Sequence, residues 1–348
     1  LLETVDAGSE IEEMRRDYLA TQLLALATRV RMLQGDRLTF DEESRLLYGA
    51  VAPELEAEYF ESVLRELDEQ LPGEGEVAAR YNSFRDEFVI PPDRLDTVFR
   101  RAVEECRAKT AEWIDLPDGE SFTIEYVTDK SWSGYNWYQG GYRSLIQVNT
   151  DLPIFIDRAI DLACHEGYPG HHVYNVMLEK NMVRDRRWIE FSVYPLYSPQ
   201  SLIAEGTANY GIEMAFPDDE RVEFERNELF ELAGIEPSRA ERYYEIQELV
   251  ERLSYAGNEA ARRYLNGEID RGAAIDWLER YALMSEERAR QRTRFMDTYR
   301  SYVINYNLGE DLVARFVEES ADDRAEKWQV FERILSTPTL PNDLVKER

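Results

Sequence analysis

All three histidines of this 348-residue chain, His165, His171 and His172, fall in the run CHEGYPGHH (164–172), with Glu166 directly after the first. Two imidazoles and a nearby carboxylate are what a zinc hydrolase needs. Its donors converge on one point at about 2.0–2.2 Å and leave one position for water. In the common H-E-x-x-H arrangement the histidines share a helix face at i and i+4, and the glutamate at i+1 serves as general base. Here the later histidines stand at i+6 and i+7. On an ideal helix His172 would share a face with His165 but lie about 10.5 Å further along the axis, too far for one ion.

Pro169-Gly170 resolves the mismatch. Pro169 has no N–H for the carbonyl of His165, and Gly170 reaches backbone conformations closed to other residues. A two-residue extrusion puts His171 in the i+4 place; a three-residue extrusion puts His172 there. The smaller distortion is expected, which makes His165 and His171 the metal ligands, Glu166 the general base, and His172 a supporting group or alternate ligand. The bland alternative is a helix that stops at a Pro-Gly turn with solvated or core histidines. The gathering of every histidine beside Glu166 argues against it. Cys164 adjoins His165, but neighbours on a helix point about 100° apart, so Cys164 is read as a buried small residue and not a nucleophile.

A two-histidine zinc site takes its third ligand from a carboxylate on a neighbouring helix. Glu205 in LIAEGTANYGIEM is the best candidate. It sits in a helix that opens at Ser198-Pro199 and stops at Pro217. Small Gly206 and Ala208 let another helix or a metal come close, and Asn209 and Glu213 share its face. By itself it is an ordinary Glu among 70 acidic residues.

The elements that must carry these residues are mostly helical. Helical periodicity runs over 6–33, 53–71 and 76–115, the last broken at Pro91-Pro92. SFTIEYV (121–127) alternates apolar and polar, and GYNWYQGGYRSLIQVNT (134–150) reads as two strands joined at Gly140-Gly141. A small antiparallel sheet is expected there. Helix then resumes from DLPIF, with Asp151 as cap and Pro153 in the first turn. A further helix covers 219–233, and 238–335 is helical with Asn266-Gly267 as its clearest turn. The chain divides at the helix-to-strand switch into a helical half, 1–118, and a catalytic half, 119–348, of one compact unit. Phe295, Tyr299, Tyr302 and Tyr306 recur at 4, 3 and 4, one face of a helix. They are a core stripe, or they point Tyr306 and Tyr302 into the site as oxyanion donors. Arg300 is a candidate for a substrate carboxylate. WSGYNWYQGGY (132–142) is either a cleft-lining loop or a hairpin packed on helices.

HEGYPGHH followed by AEGTANYG resembles a large, poorly characterised bacterial family of zincin-like proteins, with a signature of roughly HE-x-x-PGHH-x-Q and then EGWA-x-Y. That family looks distantly akin to carboxypeptidase Taq and the thimet-type oligopeptidases. The resemblance spans about 120 to 315 and is dense only in the two motifs. It implies a mainly α, zincin-like metallopeptidase architecture with the small sheet beside the active-site helix. It also implies His165, His171 and Glu205 as ligands and Glu166 as general base. SLIQVNT (144–150) resembles the strand before the motif, which in zincins pairs with a peptide backbone; Gln147 and Asn149 become substrate-binding candidates. NYNLGE (305–310) resembles a Tyr-x-Ile-Gly stretch that places Tyr306 near the site. The chain departs from the pattern at Tyr174, where the family has Gln, at Thr207, where it has Trp, and at Arg300-Ser301-Tyr302, which replaces Pro-Gly-Gln.

Composition sets the outer limits. Hydrophobic residues at 43% and aromatics at 12% mark a globular chain. A formal charge of −29 disfavours nucleic acid and anionic membrane as partners. Of 41 basic residues only five are Lys. No 18-residue apolar run and no secretory pattern appear, and two cysteines with no metal-type partner suggest no disulfide framework. A cytoplasmic, reducing location is expected. The reading is a zinc-dependent hydrolase, a peptidase of carboxypeptidase or oligopeptidase type, acting on a peptide or small amide. Its rivals are a zincin fold that binds peptides or partners without turnover, and a metal-dependent amide or ester hydrolase of other substrates.

Overall fold

A computed structural model describes residues 10–345; residues 6–9 of the first expected helix lie outside it. Five helices come first: α1 (Glu10–Leu33), α2 (Phe40–Tyr48), α3 (Ala57–Gln70), α4 (Val77–Asp86) and α5 (Leu95–Ala111). Three strands follow, β1 (Ser121–Val127), β2 (Gly134–Gly140) and β3 (Arg143–Asn149). Then come α6 (Asp157–Leu162), α7 (His171–Leu178), α8 (Pro199–Ala215), α9 (Glu220–Phe224) and α10 (Phe230–Ala233). The chain closes with α11 (Ala240–Glu251), α12 (Ala256–Leu265), α13 (Arg271–Tyr281), α14 (Glu286–Tyr299), α15 (Ile304–Ser320) and α16 (Arg324–Ser336). One buried core extends from Tyr18 to Leu344 and includes side chains from both sides of residue 118.

The sheet is mixed and not antiparallel. Its order is β1-β3-β2; β2 and β3 form the expected hairpin over Gly140-Gly141, both at positive φ, but β1 pairs parallel to β3. Buried Ser144, Ile146 and Val148 put β3 in the centre, where it takes a partner on each side. Length and pattern identify a strand; they do not say which neighbour it chooses.

The helix after the sheet starts at Asp157, six residues later than expected. Asp151 caps another turn instead: its carboxylate accepts from the backbone N–H groups of Asp129 and Lys130. Residues 154 and 156 are held by backbone bonds to Ile90 and Phe88, which occupy the groups a helix would have used. The aromatic stripe does not lie on one helix either. α14 ends at Tyr299, Arg300 takes φ +55°, and a 3₁₀ turn leads into α15. The four rings still gather, with Tyr302 and Tyr306 centroids 5.9 Å apart.

Two contacts hold the functional helices in place. α8 and α15 touch backbone to backbone. A Cβ on Gly206 would lie 2.3 Å from the Gly309 carbonyl oxygen, and one on Gly309 would lie 2.6 Å from that of Leu202. The second contact overturns an expectation: Cys106 of α5 and Cys164 form a disulfide, with Cα atoms 5.6 Å apart across a sequence separation of 58. That separation hid the pairing from the sequence. Cys164→Ser is expected to cost on the order of 4 kcal/mol, by the chain-entropy argument for a loop of this length. The thermal midpoint of the wild type should fall in step under reductant, and an unchanged midpoint in both would mean the thiols are not joined.

Candidate metal centre

The histidine run folds as an opened helix. α6 continues as a π-helical turn over Ala163–Gly167. The Tyr168 N–H reaches back five residues to the Ala163 carbonyl at 3.2 Å, and the Gly170 N–H reaches back six to that of Cys164 at 2.9 Å. Tyr168 is extended, the Tyr168–Pro169 peptide is cis, and α7 restarts at His171. Widening the ladder in this way absorbs the two residues by which i+6 exceeds i+4. His171, not His172, therefore meets His165, with ring centroids 4.6 Å apart and nearly perpendicular. Gly170 makes the turn feasible, because a Cβ there would lie 1.9 Å from the His165 carbonyl oxygen.

The third group arrives from α8. Oε2 of Glu205 is 3.2 Å from His165 Nε2 and 3.5 Å from His171 Nε2. One donor atom from each of the three lies within 4.8 Å of the others. Ligands at about 2.0–2.1 Å from a tetrahedral ion are separated by about 3.3–3.4 Å, so both measured edges fit. Oε2 of Glu205 is buried and accepts no hydrogen bond of good geometry, a costly state for a carboxylate unless a cation completes it. Burial alone would raise this carboxyl; His171 and His165 overturn that and hold it well below the usual carboxylate range. Two imidazoles and one carboxylate suit zinc by donor chemistry.

The ligand atoms are themselves oriented. Asn209 Nδ2 donates to the Tyr306 carbonyl at 2.9 Å, which turns Asn209 Oδ1 toward His165 Nδ1 at 2.7 Å. That oxygen only accepts, so Nδ1 carries the proton and the Nε2 lone pair faces Glu205. The Tyr302 hydroxyl donates to Glu205 Oε1 at 2.7 Å and leaves Oε2 free. Asn209→Ala is expected to weaken zinc binding ten- to hundredfold, roughly the cost of removing such a support. Chelator competition measures it; unchanged affinity would remove Asn209 from the site.

Glu166 stands beside the three donors and is not one of them. It is buried against the edge strand: Asn136 Nδ2 donates to its carbonyl at 2.7 Å, and Gly134 leaves room where a Cβ would lie 2.7 Å from Oε1. Oε2 is buried with no partner. Burial pushes this carboxyl up to about 7, with His165 opposing and Glu205 adding to the rise.

Several expected site residues lie elsewhere. His172 is fully buried with Nδ1 at 2.8 Å from Ser144 Oγ and Nε2 at 3.0 Å from Glu120 Oε2. Its side chain ties α7 to the sheet and is not one of the three converging donors. Despite its burial, Glu120 is held down to about 2 by His172, Tyr168 and Arg107. Arg300 is engaged by Glu43, Nε to Oε2 at 2.7 Å, as is the Ser301 hydroxyl, so it is not available to a substrate. Gln147 spans the sheet between Trp137 and Glu125, and Asn149 holds the loop carbonyls of Lys130 and Trp132. Neither lines the cleft. They belong to β3, whose two edges are both taken, so this strand cannot pair with a substrate.

β1 and β2 are the two edge strands, and the β2 residues from Gly134 to Tyr138 do line the cleft. The aromatic run 132–142 is thus both a hairpin and a cleft wall. The cleft measures ≈ 720 Å³ and also receives His165, Glu166, His171, Glu205, Tyr302 and Tyr306. Burial, with Glu205 and Glu166 nearby, keeps the Tyr306 phenol well above its ordinary value, so it is a neutral donor. Sequence reasoning missed Arg288 and Arg292, which also line this cleft. Their spacing ahead of Phe295 and Tyr299, at i, i+4, i+7 and i+11, was the available signal.

No protein-family model and no curated protein matches this chain. Among solved structures, one with a similar fold is the crystal structure of the "putative lipoprotein" from Colwellia psychrerythraea, 15% identical, with a TM-score of 0.56 over 85% of this chain and 54% of that one. The chain spans about half the length of the protein it matches. At that identity the likeness extends to the fold alone.

Proposed function

We propose that the chain is a zinc-dependent hydrolase with a zincin-like site, acting on peptides. The observation that carries this reading is the convergence of His165, His171 and Glu205 at tetrahedral spacing on the wall of a cleft, with a buried, unpartnered carboxylate oxygen of Glu166 beside them. Zinc in that donor set supplies Lewis acidity, which polarises a carbonyl and acidifies water. Glu166 takes the proton of the attacking water at its free Oε2 and returns it to the leaving nitrogen. Tyr306, neutral and facing the cleft, donates to the developing oxyanion. The free edge of β2 offers main-chain groups to an extended peptide. Substrate specificity follows from the cleft wall and not from the departures at Tyr174 and Thr207. Tyr174 is buried in the core, Thr207 bonds its own helix, and neither lines the cleft. That weakens the case for a fold that binds without turnover.

No described helix is long and apolar enough to cross a membrane. The Cys106–Cys164 disulfide suits an oxidising compartment, contrary to the cytoplasmic expectation. The test of function is metal content after zinc loading, together with digestion of a broad peptide library. Stoichiometric zinc with new peptide ends supports the reading; zinc without any cleavage favours the non-peptide or binding alternatives, and no zinc at all overturns it.

A further inference from the structure

The cleft contains charges that the fold does not use. Of the four arginines lining it, Arg158 pairs with Asp161, and Arg221 pairs with Asp161 and Glu225. Arg288 and Arg292, one turn apart on α14, have no side-chain hydrogen bond and no ion pair among the described residues. Arg292 Nε is buried with no acceptor. In a chain carrying 70 acidic residues, carboxylates are abundant, and guanidinium groups elsewhere in the fold readily find them. An unpaired, partly desolvated guanidinium is costly to keep, and what Arg292 finds within the fold is two aromatic rings, Phe295 and Tyr306, at 5.0 and 5.7 Å to their centroids, and no carboxylate. The burial of Arg292 lowers its pKa, and only the Tyr306 phenol acts the other way. Burial, with Arg85 and Arg158 nearby, brings Arg288 down to about 10. Both are therefore cations awaiting an anion.

Their position relates them to the reaction. The Arg292 guanidinium lies 5.7 Å from the Tyr306 ring centroid. Tyr306 is next to Tyr302, whose hydroxyl holds Glu205. Arg292 is thus linked to Glu205 through two aromatic rings, Tyr306 and Tyr302, and all four residues line the cleft. A peptide with an amide at the metal centre would extend along the same cleft that Arg288 and Arg292 line.

We propose that Arg288 and Arg292 bind the free α-carboxylate of the substrate, so that the protein removes residues from the C-terminal end of short peptides. This rests on the peptidase reading above and names its substrate class. Guanidinium groups bind carboxylates through paired charge-assisted hydrogen bonds, so removing one is expected to weaken recognition about ten- to hundredfold.

The experiment uses zinc-loaded full chain and four matched N-acetylated peptide series. These carry either a free C-terminal acid or a C-terminal amide, each with and without an Asp side chain in the last residue. Wild type should prefer free acids at least tenfold in kcat/KM. Arg292→Gln and, separately, Arg288→Gln should raise KM on acids and leave amides unaffected, and Arg292→Lys and Arg288→Lys should each retain part of what the Gln variant at the same position loses. Preference for Asp-bearing amides over plain amides, without acid preference, would assign the pair to a side-chain carboxylate and overturn the terminal-carboxylate proposal. Equal loss of kcat on acids and amides would make Arg292 an oxyanion donor and overturn it likewise. Equal cleavage of all series by every variant would sink the subsite and leave the peptidase reading standing. If wild type cleaves none of them, the peptidase reading fails, and calorimetry with N-acetyl amino acids against their amides still decides the subsite. Binding of acids that both Gln variants lose supports it; no binding refutes it.

Discussion

Glu166→Gln is expected to remove hydrolysis and leave zinc binding intact. Glu166 lies outside the group of three donors, so the metal should not depend on it. Its Oε2, buried and unpartnered, is a free proton acceptor on the wall of the same cleft. Gln keeps the shape that Gly134 and Asn136 accommodate but has no basic oxygen at neutral pH. General-base catalysis is worth about 10²–10⁴-fold, and the loss should appear in kcat. The acid limb of the pH profile is a second signature. Burial raises this carboxyl to about 7 in the metal-free protein, and a cation among the ligands would lower it again. Below its pKa Glu166 is protonated and cannot act as base, so the wild-type rate falls as pH drops through that value. The Gln variant should show no such limb. Full activity in a zinc-loaded variant would end the general-base role, and lost zinc would make Glu166 a ligand instead.

Gly170→Ala should be the most damaging glycine-to-alanine change among the described residues. The added carbon would sit 1.9 Å from the His165 carbonyl oxygen and 2.4 Å from that of Cys164. Both obstacles are backbone, so no rotamer change relieves them. Cys164 is also held by its disulfide, and Tyr174 N–H bonds the Gly170 carbonyl at 2.9 Å. Either the π-helical turn opens, which parts His171 from His165, or the variant loses more than about 4 kcal/mol, the range reserved for severe backbone or core disruption. Thermal unfolding and zinc affinity together read the outcome. A variant that keeps both the midpoint and the affinity of the wild type would falsify the geometry of the turn.

How far the sequence reaches can be judged residue by residue. His165 and His171 were legible as a pair because histidine is rare here and Pro169 forbids a regular ladder, whereas Glu205, one of 70 acidic residues, stood out only through the resemblance of AEGTANYG to a family motif. Helices and strand positions were legible because apolar periodicity is a local property. The partner of β1 was not, since pairing is decided by which strand can be buried on both sides. Cys106–Cys164 was not, because a separation of 58 residues carries no local mark. Arg300 looked available and Arg292 looked ordinary. A lone arginine reveals nothing of its role until the carboxylates around it are known, and only folding brought Glu43 to the first and left the second without one.

The joint between Gly206 and Gly309 has a consequence for how such a site can change over evolutionary time. Glu205 rides on α8 beside one glycine, and Tyr306 rides on α15 a turn before the other. The spacing between acid and phenol is therefore set by two main chains in contact, with no side chain between them to trim or lengthen. Residues of α14 that line the cleft, by contrast, can be substituted one at a time without touching this joint. The distance from Glu205 to Tyr306 cannot be tuned by small steps, because the smallest step at either glycine is a whole methyl group against a carbonyl. The cleft wall is thus free to vary by small steps, while the placement of Glu205 against Tyr306 changes only with the joint as a whole.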